Sequence, residues 1–277
     1  MTLSSVPRRL ALALLPRRLW FALRGVHRAW TGRLSGIWHR RLLARLGGTV
    51  QSGPFRGMRY VEESVGSSFL PKLLGTYELE LHPALEKLRV NDFDLVVDVG
   101  AAEGWYAVGA TLLWPSARVI AFETHAVGRL LCAELASRNG AKRRVEIHGF
   151  ADLLSFRAIL NGAAAERTLV IMDVEGAEIV LLDPVAAPEL SHTAILVECH
   201  DEKGNPVAAT LRSRFAASHE VETVPSRARS VGDFPLPDRP PLGWAVPLLT
   251  AMAEHRPRRM EWLVMLPRAG AAERRSP

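Results

Sequence analysis

The chain of 277 residues is poor in cysteine, with only Cys132 and Cys199. Neither lies in a Cys-x-x-Cys pair or a Cys/His cluster, which argues against a structural zinc. Two buried free thiols in a reducing cytoplasm are expected. Long apolar runs are also missing. The best stretch, Leu10 to Leu15, is cut by Pro16, whereas a membrane-spanning helix needs about 20 residues. With no small-residue cleavage site beside it, a secretory signal is not expected either. Residues 1–61 contain no Lys, Asp or Glu but twelve Arg. The net charge of +6 therefore leaves −6 on residues 62–277. The basicity belongs to an N-terminal arm, and no nucleic-acid-binding face is expected on the body.

Within that arm, Leu12, Leu15, Leu19, Leu23, Val26 and Trp30 recur every three or four residues. That spacing makes one apolar helical stripe. Arg17, Arg24 and Arg28 fall on another face, and Pro16 and Gly25 break the pattern into two or three short helices. Two roles stay open for residues 1–48. They could lie on an anionic membrane surface, or pack on the body or a partner subunit. The acid-free, Arg-rich start also resembles an organellar presequence. The expected location is cytoplasmic, with peripheral membrane contact as the arm's alternative.

Turn material at Ser52-Gly53-Pro54 and Arg56-Gly57 predicts a hairpin or extended lead-in over 47–61. Residues 68–89 read as helical. A regular alternation follows. Strands are predicted over 95–99, 118–123, 144–148, 169–173 and 194–199, then near 220–225 and at 262–266. Helices are predicted over 105–113, 126–138, 177–183 and 206–218. Strands alternating with helices give a parallel sheet covered on both faces. The near-continuous apolar strands agree with burial on both sides. The last strand follows no helical pattern and pairs antiparallel. The expected fold is α/β: a doubly wound, mostly parallel seven-stranded sheet with one reversed C-terminal strand. The expected organisation is an arm and lead-in over 1–61, one domain over 62–267, and a disordered tail over 268–277.

In such a sheet the ligand lies beyond the carboxyl ends of the strands, at the topological switch point. The first strand runs into Asp98-Val99-Gly100-Ala101-Ala102-Glu103-Gly104. Gly100 and Gly104 let the backbone turn tightly, and Ala101 and Ala102 are nearly as small. Asp98 is an acid in an apolar strand, and a buried carboxylate needs a partner such as a ligand ammonium group. Glu123 ends the second strand, where an acid accepts hydrogen bonds from ribose hydroxyls. Asp152 follows the third strand. It could face an adenine amino group or cap a helix.

A dinucleotide site would carry Gly-x-Gly-x-x-Gly. Here Ala102 takes the second glycine position, and the third glycine is missing too. A pyrophosphate needs the close approach those glycines allow. The loop therefore favours a nucleoside carrying an amino acid over a nicotinamide dinucleotide.

The run from Val96 to Tyr106 resembles motif I of class I S-adenosylmethionine (SAM)-dependent methyltransferases, and Val119-Ile120-Ala121-Phe122-Glu123 resembles the acidic motif that follows it. Ile171-Met172-Asp173-Val174-Glu175-Gly176-Ala177-Glu178 and Ile195-Leu196-Val197-Glu198-Cys199-His200 are similar to the FkbM family, whose pattern has Asp-x-Glu-Gly-x-Glu after the fourth strand and Glu-x-His at the fifth. The resemblance covers roughly residues 76–200. The family has Asn where Ala102 stands. The resemblance implies a Rossmann-like methyltransferase fold and SAM held by Asp98, Gly100, Ala101, Ala102, Gly104, Tyr106, Glu123 and Asp152. It also implies O-methylation of a hydroxyl on a sugar or other small molecule.

Methyl transfer is an in-line displacement, so alignment is the protein's main work. A hydroxyl nucleophile must also lose a proton. Asp173 and Glu175 leave the fourth strand, and Glu198 and His200 leave the neighbouring fifth. Residues two apart on a strand point to one side. The expected arrangement has His200 as general base, oriented by a carboxylate such as Glu198. Asp173 then sits near the cofactor or the acceptor, and Glu175 orients the acceptor or supports His200. In the alternative, these acids and His200 hold a divalent cation. Glu178 could serve the site or simply favour a helix start. Tyr77 and Glu78 are expected on a helix that closes over the cofactor. Residues 226–261, with Trp244 and His255, are expected to shape the acceptor pocket. The competing functions are a SAM-fold scaffold that has lost catalysis and docks through its arm, and a nicotinamide-dependent oxidoreductase.

Overall fold

The computed structural model describes residues 38–202, 204–237, 245–256 and 259–268. The stripe from Leu12 to Trp30, the expected tail beyond residue 268 and Trp244 lie outside the described residues. So the reading of residues 1–48 as a membrane arm or presequence falls mostly outside them as well.

Seven strands form one sheet: β1 (Leu95–Val99), β2 (Arg118–Phe122), β3 (Val145–His148), β4 (Thr168–Met172), β5 (Ala194–Cys199), β6 (His219–Pro225) and β7 (Glu261–Pro267). Their order is β3-β2-β1-β4-β5-β7-β6. β1 to β5 pair in parallel, and β7 inserts between β5 and β6 antiparallel to both. This is the doubly wound, mostly parallel sheet with one reversed C-terminal strand expected from the sequence.

Alternation along the strands builds the two sides of the core. Val96, Val119, Ala121, Leu169, Ile171, Leu196, Trp262 and Val264 belong to one apolar cluster. Leu95, Val97, Val99, Ile120, Phe122, Val170, Met172, Ile195, Val197, Leu263 and Met265 belong to the other. Each fully buried large side chain among them contributes roughly 1.5–3 kcal/mol.

Helices are α1 (residues 38–46), α2 (Phe69–Leu74), α3 (His82–Arg89), α4 (Trp105–Leu113), α5 (Ala126–Arg138), α6 (Leu153–Asn161), α7 (Glu178–Leu181), α8 (Val207–Phe215) and α9 (Ala245–Ala251). Among the described residues no helix is long and apolar enough to cross a membrane. Three expectations change. First, residues 68–89 are not one helix. Gly75 adopts a left-handed conformation and closes α2, its N–H bonding to Lys72 O and Thr76 N–H to Pro71 O. A β-carbon at Gly75 would collide with the Ser52 backbone, so only glycine fits. Tyr77 and Glu78 therefore lie on a bend, with Glu78 itself left-handed at φ 47°.

Second, the lead-in is part of the body. Leu42, Leu46, Val50, Phe55, Met58, Tyr60 and Val61 are buried in the core. Phe55 packs edge-on against Trp105 at 5.1 Å and Tyr106 at 5.9 Å. It does so because Gly109 leaves room, since a β-carbon there would lie 2.6 Å from the Phe55 ring. This cover explains why α4 is buried almost all round. Third, α6 was absent from the predicted elements. Its start is Asp152, whose side chain accepts the Ser155 N–H at 2.8 Å as an N-cap.

Candidate functional site

A cavity of about 700 Å³ opens at the carboxyl ends of β1, β2 and β4. This is the switch point, because the chain leaves β1 toward β2 and β3 and returns on its other side at β4. Gly100, Ala101, Ala102, Glu123, Asp152, Tyr106, Asp173 and Glu175 all line it, as do Lys72 and Tyr77.

The loop after β1 is held tightly. Gly100 N–H and Ala101 N–H both bond to Phe122 O at 2.9 Å. Gly100 has φ 89°, and a β-carbon there would collide with the Asp173 backbone oxygen. Gly104 has φ 94°, and a β-carbon there would meet Cys132 Sγ at 2.7 Å. So both glycines serve close packing of the protein on itself. Ala102 is left-handed at φ 48° despite its methyl group. A non-glycine residue held there is a strained position that the surroundings must enforce. Glu123 enforces it, with its Oε2 accepting Ala102 N–H at 2.7 Å and its Oε1 accepting His125 N–H at 2.6 Å.

Three of the expected cofactor contacts sit differently from the sequence reading, the first being Gly104, which packs on Cys132 and does not line the cavity. Asp98 is buried beneath the loop and does not line the cavity. The Ala107 backbone N–H faces its carboxyl, and its Oδ2 has no partner among the described residues. Burial pushes this carboxyl up to about 7. Asp152 lines the cavity but spends one oxygen on the α6 cap, which holds its carboxyl below the usual range. Tyr106 donates its hydroxyl to Glu78 Oε2. Its hydroxyl is therefore directed at a buried carboxylate that does not itself line the cavity.

The cavity also holds a buried cation that the sequence reading missed. Lys72 pairs with Glu103, donates to Ser67 Oγ at 2.7 Å, and lies 4.7 Å from the Tyr77 ring centroid. Tyr60 also donates to Glu103, and Val65 N–H bonds to it at 2.9 Å. Glu103 sits in the motif loop itself, but the sequence gives no sign that α2 would bring Lys72 to it.

The chemistry-bearing acids converge at the end of β4 and β5. His200, just past β5, is buried. Its Nδ1 bonds to Glu178 Oε1 at 2.6 Å. Its Nε2 stands 3.5 Å from Asp173 Oδ1, 3.5 Å from Glu175 Oε2 and 3.9 Å from Glu198 Oε2. The orienting carboxylate is thus Glu178, not Glu198. Glu198 is held instead by Arg256, which also binds Glu78 and pairs with Glu254 through Nε at 2.9 Å. Arg229 clamps Glu254 and reaches Glu80 at 2.6 Å. Arg256 and Glu254 come from the segment expected to shape the acceptor pocket, whereas the His255 named in that segment is exposed.

Too many acids share this space for all to ionise freely. Burial, then the neighbouring Glu198, pushes Glu78 up to about 8. Burial and Asp173 push Glu198 up to about 7. Burial and Glu78 push Asp173 up to about 7. At His200, burial favours the neutral ring, but the Glu178 hydrogen bond and the charges of Asp173 and Glu198 outweigh it. They push the imidazole up to about 9. Beside these acids the imidazole favours its protonated form.

No family model matches the chain, and no curated protein matches it. Solved structures do. Precorrin-6y C5,15-methyltransferase from Geobacter metallireducens is 12% identical with a TM-score of 0.47, covering 75% of this chain and 92% of that one. The O-methyltransferase TomG from Streptomyces achromogenes, in complex with SAM, is 14% identical with a TM-score of 0.44, covering 67% and 80%. The O-methyltransferase from Bacillus cereus, in complex with SAH, is 14% identical with a TM-score of 0.43, covering 65% and 77%. Identities this low leave the functional reading to the site itself.

Proposed function

We propose that the chain is a SAM-dependent O-methyltransferase of the FkbM type, acting on a hydroxyl of a sugar or other small molecule. One observation carries the reading: Glu123 at the end of β2 faces the cavity beside a loop whose second glycine position is Ala102. A carboxylate there suits a ribose diol, and the methyl group of Ala102 disfavours the close approach of a pyrophosphate.

The rest of the lining supports the same ligand. Phe122, Phe150, Ala151 and Leu153 form an apolar wall at the Glu123 end, suited to a purine. Lys72 lines the same cavity, where it suits an amino-acid carboxylate. Asp173 also lines the cavity, where its carboxyl suits the positive charges of an ammonium and a sulfonium. When bound, SAM supplies an electrophilic methyl group. The chain's residues do the alignment. Asp173 and Glu175, on the cavity wall, accept the hydrogen bond of the acceptor hydroxyl and aim its oxygen. His200 stands behind those two carboxylates, and Glu178 fixes His200.

The test is label transfer. The full chain, methyl-labelled SAM and a fractionated cell extract should give a product carrying an O-linked methyl ether. Label appearing only on nitrogen or carbon contradicts the hydroxyl acceptor.

A further inference from the structure

We propose that Asp173, Glu175 and His200 bind a divalent transition-metal cation at the wall of the cavity. The three side chains offer ligand atoms that all lie within 4.8 Å of one another. The decisive geometry is the distance from His200 Nε2 to Asp173 Oδ1 and to Glu175 Oε2, 3.5 Å in each case. That is too long for a charge-assisted hydrogen bond, which runs at about 2.7–2.9 Å. It fits two atoms sharing an ion. Ligands about 2.1 Å from a tetrahedral cation stand about 3.4 Å from one another.

The tautomer points the same way. Glu178 accepts from Nδ1–H, so Nε2 is the nitrogen that can give up its proton to a metal ion and offer a lone pair. His200 is 4% exposed, and its Nε2 makes no hydrogen bond among the described residues. That nitrogen faces two carboxylates, so a cation stands between them and the ring: a proton on Nε2 when no ion is bound, or a metal ion in its place. A histidine ligand whose far nitrogen donates to a carboxylate is the usual way a protein fixes metal-binding imidazoles. Glu178 is itself anchored by Gly176 N–H at 3.1 Å.

The surrounding charge leaves room for an ion. Glu78, Asp173, Glu175, Glu178, Glu198 and Glu254 converge on the site, and among the described residues the arginines touching them are Arg256 and, at its edge, Arg229. Glu175 is left-handed at φ 52°, the conformation that brings its exposed side chain back toward His200. One imidazole with two carboxylates suits Mn²⁺ or Zn²⁺ better than Ca²⁺, which takes oxygen ligands. The role of the ion in catalysis, unlike its binding, rests on the methyl-transfer reading. The acceptor oxygen would complete the coordination and lose its proton to solvent. It would then form the O–C bond as the C–S bond breaks, with the electron pair leaving on sulfur.

The test is titration of the full chain with Mn²⁺, followed by electron paramagnetic resonance of the free ion. One site per chain is expected. Binding should weaken at least tenfold in His200→Gln and in Glu175→Gln, and stay unchanged in Glu146→Gln, an exposed acid on β3. Glu175 is exposed, so its variant keeps the fold even if the His200 variant does not. No stoichiometric binding up to millimolar Mn²⁺, or equal binding in Glu175→Gln and the wild type, overturns the site. Calorimetry with SAM on the same samples separates the two readings. SAM binding without Mn²⁺ binding removes the ion and leaves methyl transfer standing. Mn²⁺ binding without SAM binding does the reverse.

Discussion

Glu178 holds His200 from behind: its Oε1 accepts from Nδ1 at 2.6 Å, across 22 residues of sequence. The bond turns the other imidazole nitrogen toward Asp173 and Glu175. Replacing the carboxylate with an amide keeps the shape but weakens the acceptor. Glu178→Gln should therefore lower Mn²⁺ affinity about 10- to 100-fold, the usual cost of losing such a partner. Unchanged affinity would mean that the ring is oriented by something else.

Gly100, just past β1, packs against Asp173, just past β4. A β-carbon there would collide with the Asp173 backbone oxygen, and φ is 89°. Gly100→Ala should destabilise the chain by at least about 2 kcal/mol in urea unfolding. A stability within about 0.5 kcal/mol of wild type would show that the two loops are not packed together.

Arg256 keeps three acids apart from one another, binding Glu78, Glu198 and Glu254. Removing it leaves buried like charges unpaired. Arg256→Met should cost about 3 kcal/mol at pH 8. The cost should shrink toward pH 5, because Glu78 and Glu198 take up protons below about 8 and about 7. Stability curves for both proteins across that range would check this. A cost that does not vary with pH would contradict the network.

Asp98 is buried with one oxygen unpartnered, and burial pushes its carboxyl up to about 7 from 3.8. Between those values the folded chain holds a proton that the unfolded chain has released. The contribution of Asp98 to stability therefore falls as pH rises from about 4 to about 7. Asp98→Asn carries no such charge. Relative to wild type it should gain stability with rising pH, by about 1–4 kcal/mol between pH 4 and pH 8. A constant difference across the range would show that Asp98 has a charged partner.

Much of the fold was legible because the five parallel strands are short apolar runs bounded by turns, as at Leu95–Val99 and Ala194–Cys199. Strand-end residues follow from such a sheet, so Glu123, Asp173 and His200 could be placed near one crevice from spacing alone. What sequence could not give was the return of distant segments. Lys72 meets Glu103, Phe55 meets Trp105 on α4 and Arg256 meets Glu198 across separations of 31, 50 and 58 residues, and nothing local marks them. The bend at Tyr77 and Glu78 was misread because helix-favouring residues mask the stop at Gly75. The α6 helix was readable in Asp152, Phe156 and Leu160, a cap followed by helical spacing. The choice of Glu198 over Glu178 as the partner of His200 followed strand proximity, but Arg256 takes Glu198 first.

The most direct test of the central claim is calorimetric titration with SAM and with its demethylated product. Wild type should bind both at a single site. Glu123→Gln should bind them at least tenfold more weakly, from the roughly 1–3 kcal/mol of a lost charged hydrogen bond. Binding of neither compound, or equal affinity in Glu123→Gln and wild type, would contradict the account.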